Sequence, residues 1–136
     1  MMKLLTLNIA ICLVFILGCK NNSVAPQSDS FKIINLNDTS EVRVGQTVEL
    51  ANRELVFRFD SLIQEGRCPI GVMCCWQGHA SIHLTFPNCV DTLDTYFKPM
   101  IEYANYKIFL INLLPYPVWE QPVDKNSYVA KLKVTL

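Results

Sequence analysis

"ELVFRFD", residues 54–60, sets Leu55, Phe57 and Phe59 on one side of an extended chain and Val56, Arg58 and Asp60 on the other. That period of two is the mark of a strand with one face in a core and one in water. The closing stretch "YVAKLKVTL", residues 128–136, repeats it: Tyr128, Ala130, Leu132, Val134 and Leu136 share a face, and Lys131 and Lys133 lie opposite. "WQGHASIHLTF", residues 76–86, groups Trp76, Ala80, Ile82, Leu84 and Phe86 in the same way.

Working outward, "VRVGQTVELA" (42–51) gives two short strand pieces around Gly45. "YKIFLINLL" (106–114) is apolar at most positions and rich in β-branched and aromatic residues, which predicts a strand buried on both faces. "FKIINL" (31–36) and "DTLDTYF" (91–97) add two more, while "DSLIQEG" (60–66) has room for one helical turn at most. Seven or eight short strands separated by Asn, Asp, Gly and Pro predict an all-β fold. The expected form is an antiparallel, immunoglobulin-like sandwich, with a small β-barrel as the alternative.

The N-terminus is of another kind. Residues 1–18, "MMKLLTLNIAICLVFILG", carry one lysine and then a mostly apolar run, the pattern of a secretory signal. The junction Ile16-Leu17-Gly18-Cys19 looks like a bacterial lipobox, which implies cleavage before Cys19 and lipid on its sulfur. The run is short for the ~20 residues that cross a bilayer. Acyl chains contribute roughly 0.8 kcal/mol per buried methylene, so several chains on one cysteine hold a protein to a membrane it does not span. Residues 19–30 then form the lipidated cysteine and a polar tether, and 31–136 the single folded domain. Lys20, where an aspartate would favour retention at the inner membrane, points to the outer membrane and its periplasmic face; surface display stays open.

With the signal removed, 12 basic residues less Lys3 leave 11 against 12 acidic ones. A balanced domain without a basic stripe is a poor match for nucleic acid.

Of six cysteines, Cys12 falls in the signal and Cys19 is the lipidation site. Cys68, Cys74, Cys75 and Cys89 remain, in a chain expected in an oxidising compartment. Cys68 and Cys74 enclose Pro69 and Gly71 and can close a local bridge, with ~2 kcal/mol expected from loop closure. A bridge from Cys75 to Cys89 requires the strand between them to break near Gly78. An unbroken strand of this length holds them roughly 30 Å apart, and a disulfide needs Cα atoms within ~7 Å. Otherwise they are free thiols, or Cys89 bonds another molecule.

The spacing does not make a zinc knuckle, and His79 and His83 read as solvent-facing residues of one strand face, too far apart (~13 Å) to share an ion. No C-x-x-C redox motif is present. No metal or other cofactor is expected. Ser81, His83 and Asp91 include the residue types of a hydrolytic triad, but no G-x-S-x-G elbow positions them. Asp60-Ser61-Leu62 and Asp91-Thr92-Leu93 look like the Asp-Ser/Thr-aliphatic tripeptides that some bacteria O-glycosylate.

"PYPVWEQPVDKN", residues 115–126, is a connection with three prolines, Tyr116 and Trp119. Loops of this length carry function or cover an edge. Trp119 either plugs the open end of the sandwich or offers an exposed contact.

Arg67, Cys68, Pro69, Gly71, Val72, Cys74, Trp76 and Gly78 spell R-C-P-x-G-V-x-C-x-W-x-G. This resembles a signature of small, poorly characterised bacterial lipoproteins, and "LLPYP" and "YVAKLKV" are similar to the same group. The resemblance spans most of residues 41–136. It implies one structural bridge, Cys68–Cys74, with Trp76 packed beside it, and it implies no activity. Cys75 is an addition to the pattern.

The expectation is a lipid-anchored envelope protein, not an enzyme, acting as a binding or accessory module. Its membrane partner is reached through the lipid. An envelope protein or polymer is to be contacted by Tyr116, Trp119 and Trp76. Two alternatives are a thiol-based metal-binding or redox protein using Cys74 and Cys75, and a secreted-protease inhibitor presenting the bridged loop.

Overall fold

Alternation of apolar and polar side chains carries almost the whole of this fold into two facing sheets. The computed structural model describes residues 31–136. The signal at 1–18, the lipidation of Cys19 and the tether at 19–30 lie outside the described residues. Nine strands follow in order: β1 (Phe31–Ile34), β2 (Thr39–Arg43), β3 (Thr47–Leu50), β4 (Val56–Glu65), β5 (Ala80–Thr85), β6 (Val90–Asp94), β7 (Met100–Tyr103), β8 (Tyr106–Leu114) and β9 (Val129–Thr135). One sheet has the order β1-β3-β4-β5-β6 and the other β2-β9-β8-β7. They are not closed into a barrel, so the arrangement is the expected sandwich.

Pairing is antiparallel throughout both sheets except for β1 with β3, which is parallel. Leu55, Phe57 and Phe59 are buried, as are Ala80, Ile82, Leu84 and Phe86, and Tyr128, Ala130, Leu132 and Val134 face them from the second sheet. Each large side chain buried this way contributes roughly 1.5–3 kcal/mol.

Four expectations need correction. Residues 60–66 make no helical turn; β4 continues to Glu65, with irregularities between Phe59 and Ser61 and between Leu62 and Gln64 that expose Ile63. β8 is buried on one face only: Tyr106, Ile108, Leu110 and Leu113 point inward, and a bulge between Leu110 and Asn112 turns Ile111 to solvent. Trp76 leaves the face it was grouped with, because the strand begins only at Ala80. Leu136 lies past the end of β9 and is exposed. One strand, β7, was not anticipated. It pairs with β8 through a tight turn at Ala104 and Asn105, both at positive φ (48° and 70°), as a type I′ hairpin requires.

Strand directions define the two ends of the molecule. β4 runs toward Gly66, β5 starts there, β6 and β8 finish there and β9 starts there. This loop end gathers residues 66–79, 95–99 and 115–128. The turn 86–89 lies at the opposite end. β1 runs opposite to β4, so the chain comes into β1 from the side of the loop end.

Candidate functional site

Arg67 ties the two sheets together at the loop end. Its side chain is buried, at 7% exposure. Nε donates to Glu65 Oε1 (2.9 Å) and Nη2 to Glu65 Oε2 (2.5 Å). Nη1 donates to the Leu113 carbonyl (2.6 Å) and Nη2 to that of Pro115 (3.0 Å). The guanidinium also lies over the Tyr116 ring, 4.7 Å from its centroid. The planar, multi-donor fork of arginine serves one carboxylate and two carbonyls at once, a geometry lysine does not reproduce. Beside this cluster, burial first and then the Glu65 carboxylate push the Tyr128 phenol above its ordinary range.

The cysteine stretch is sewn to its surroundings by backbone. Gly66 N donates to the His79 carbonyl and Cys68 N to that of Gln77. Gly78 sits at φ +68°, and a Cβ there would lie 1.8 Å from the Gly66 carbonyl oxygen. Only glycine fits that close approach, and the turn it makes ends the alternation assumed for Trp76. Cys68 and Cys74 form a disulfide, Cα atoms 6.0 Å apart. Across the tip, Ile70 N donates to the Pro117 carbonyl (2.9 Å) and Trp119 N to that of Ile70 (3.0 Å). The cysteine loop and the proline-rich loop are therefore one braced unit. Trp119 is 55% exposed and does not plug the sandwich; Trp76 is 56% exposed.

A third group was not legible in the sequence. Pairing of Ser81 with Asp94 across β5 and β6 brings His79, Ser81 and Asp94 together. Ser81 Oγ donates to Asp94 Oδ2 (2.6 Å), and His79 Nδ1 donates to the same oxygen (2.5 Å). Oδ1 accepts from the backbone N–H groups of Tyr96 and Phe97 (2.8 Å each). Burial pushes the Asp94 carboxyl up, but hydrogen bonds from Ser81, Phe97, Tyr96 and His79 prevail and hold it down at about 2. His79 is thus partly buried and bonded rather than solvent-facing. These three residues are not a hydrolytic triad: the carboxylate stands between hydroxyl and imidazole, whereas a triad needs the imidazole between the other two. Asp91 is elsewhere, paired with Lys98 (2.5 Å). The His79 ring touches Phe97 edge-on (4.9 Å) and Trp76 (5.8 Å), and Phe97 touches Tyr96 (5.0 Å).

No family model, curated protein or solved structure matches this chain.

The other cysteines separate. Cys75 and Cys89 are free and exposed, one at the loop end and one in the turn at the far end. Cys74 is consumed by its bond to Cys68, so it offers no thiolate beside Cys75. Among the described residues no three His, Cys, Asp or Glu side chains group as metal ligands. His83 stands in register with Ser61 on one side and Thr92 on the other, so the central residues of the two Asp-Ser/Thr-Leu tripeptides flank it across one sheet. Leu62 and Leu93 of those tripeptides are in the core.

The loop end therefore presents exposed Ile70, Met73, Trp76, Tyr96, Phe97, Tyr116 and Trp119 on braced backbone; Glu65, Arg67 and Asp94 are turned to internal partners, while Lys98, Glu120, Asp124 and Lys125 are exposed. That is a contact surface in chemical terms. It offers apolar and aromatic area and no aligned nucleophile and base.

Proposed function

We propose that this chain is a lipid-anchored protein of the bacterial cell envelope that acts as a non-catalytic binding or accessory module, with the loop end as its contact surface. One observation carries the reading. Of the six exposed large aromatics among the described residues, Trp76, Tyr96, Phe97, Tyr116 and Trp119 all lie at the loop end, and only Phe31 does not. Aromatic side chains on a rigid frame bind at low entropic cost, because little is left to order on contact. The lipobox at Cys19 and the resemblance to small lipoproteins support placement at the outer membrane, facing the periplasm.

The test uses the exported, anchorless Cys19→Ser chain against purified peptidoglycan sacculi, lipopolysaccharide and periplasmic extract. Binding that is lost in Trp76→Ala and Trp119→Ala, with the circular dichroism spectrum unchanged, supports the module. Binding that survives Trp76→Ala, Tyr116→Ala and Trp119→Ala moves the contact away from the loop end.

Met73 favours a second reading. It is fully exposed in the bridged, braced loop, the form of an inhibitory edge offered to a protease. Inhibition of a serine or cysteine protease that is altered by Met73→Lys supports it, and silence across a protease panel removes it.

A further inference from the structure

We infer that the bridged loop has two covalent forms, which interconvert when the free thiol of Cys75 exchanges with the Cys68–Cys74 disulfide. The exchange does not depend on what the loop end binds. It changes how that surface presents Trp76 and Met73.

The step needs no outside reagent. The Cys75 thiolate attacks Cys68 Sγ, the Cys75–Cys68 bond forms, the Cys68–Cys74 bond breaks, and its electron pair leaves on Cys74 Sγ. The proton given up by Cys75 returns to Cys74 through water. One disulfide and one thiol stand on each side, so nothing is oxidised or reduced overall.

The first observation is adjacency. Cys75 is free and exposed, and it follows Cys74 directly. With the Cα atoms of Cys68 and Cys74 6.0 Å apart and neighbouring Cα atoms about 3.8 Å apart, the Cys75 Cα lies within about 10 Å of the Cys68 Cα. A disulfide accepts ~7 Å, so a displacement of about 3 Å at most brings Cys75 into range.

The second is slack. Both ends of the loop are held: Cys68 N donates to the Gln77 carbonyl, Ile70 is bonded to Pro117 and Trp119, and Gly78 is pressed against Gly66. Among the described residues, the backbone of 73–76 makes no hydrogen bond. This segment is tied by the disulfide at Cys74 and by the contact of the Trp76 ring with His79 (5.8 Å). Moving the bridge by one position therefore breaks no backbone pairing.

The third is the direction of attack. Attack on the other sulfur would join Cys74 to Cys75, whose Cα atoms lie about 3.8 Å apart across one trans peptide, below the roughly 4.4–6.8 Å that disulfides favour. Attack on Cys68 closes a loop of seven positions instead of six, which shifts the equilibrium by a factor of only about 1.3 through closure entropy.

The consequence falls on Trp76. With Cys74 bridged, Cys75 and Trp76 separate the bridge from Gln77, where the backbone is pinned. With Cys75 bridged, Trp76 alone does, and Cys74 passes into the enclosed loop as the free thiol. The segment carrying the indole shortens by one residue, and the loop carrying Met73 grows by one.

The test uses residues 20–136 with Cys89→Ser, a chain that holds the whole described domain and the cysteines 68, 74 and 75. After a hold at neutral pH, a brief pulse of light N-ethylmaleimide marks the free thiol. Reduction and heavy reagent then mark the other two, and fragmentation of the peptide that contains all three reads which was free. The expected result is light label mainly on Cys75, with Cys74 marked in on the order of one molecule in ten at any protein concentration. Light label on Cys75 alone overturns the exchange. A Cys74 share that rises with protein concentration overturns the internal route, and light label on Cys68 overturns the direction of attack. Separated in acid, where thiols are protonated and exchange stops, each form is expected to return to the same mixture at neutral pH. Forms that keep their pairing overturn the interconversion. Adding Cys74→Ser is expected to lock a Cys68–Cys75 bridge with an unchanged circular dichroism spectrum, and a chain that keeps both thiols reduced overturns the second form. In a Trp119→Phe background, the Trp76 emission maximum of this locked chain is expected to differ from that of the Cys75→Ser chain. Equal emission overturns the repositioning of Trp76.

Discussion

The carboxylate of Asp94 accepts four hydrogen bonds, two from side chains and two from backbone. Its folded value of about 2 lies below the ordinary 3.8, so folding favours the charged form. The stabilisation is present in full above about pH 4 and is lost as pH falls through about 2; the shift corresponds to about 2 kcal/mol. Asp94→Asn is expected to lower stability at neutral pH by about that amount and to flatten the acid limb, as read by denaturant melts at stepped pH. Arg67 makes a second test. Arg67→Met leaves the half-buried Glu65 carboxylate without its partner and is expected to cost about 3 kcal/mol, while the double variant Arg67→Met, Glu65→Leu recovers most of it. Urea unfolding of the two variants measures both. Neither residue was legible as a brace. Arg67 finds its carbonyls 46 and 48 positions away, and Asp94 meets His79 15 positions away. A local pattern of apolar and polar positions holds no information about such pairs.

Elements whose alternation runs unbroken were readable, and those with an interruption were not. β4 up to Asp60 and β9 follow their patterns because each buried side chain has a polar neighbour on the other face. Trp76 was grouped with Ala80 only by counting through Gly78, and the positive φ there resets the count. β8 reads as apolar throughout because a bulge places Ile111 outside. β7 is four residues long, and its turn, Ala104-Asn105, lacks the glycine that signals a hairpin. An alanine at φ +48° carries a steric cost from its Cβ. Ala104→Gly is therefore expected to stabilise the protein by about 0.5–1 kcal/mol, seen as a raised Tm without change in the β-sheet spectrum. The Cys68–Cys74 bridge was readable because it is local: six positions and two turn-forming residues decide it.

At the scale of the whole molecule, the class of fold was legible and the polarity of the molecule was not. Five aromatics from three connections converge on one end because the strands deliver those connections there, and no stretch of sequence states that by itself. The cysteine census is legible in part. A chain of residues 20–136 is expected to take up two alkyl groups before reduction, at Cys75 and Cys89, and four after it, by intact mass. The placement of those two thiols at opposite ends makes the molecule, in polymer terms, a bifunctional monomer. Oxidised at high concentration, the anchorless chain is expected to grow stepwise into a ladder on non-reducing gels, and Cys75→Ser or Cys89→Ser to stop growth at the dimer.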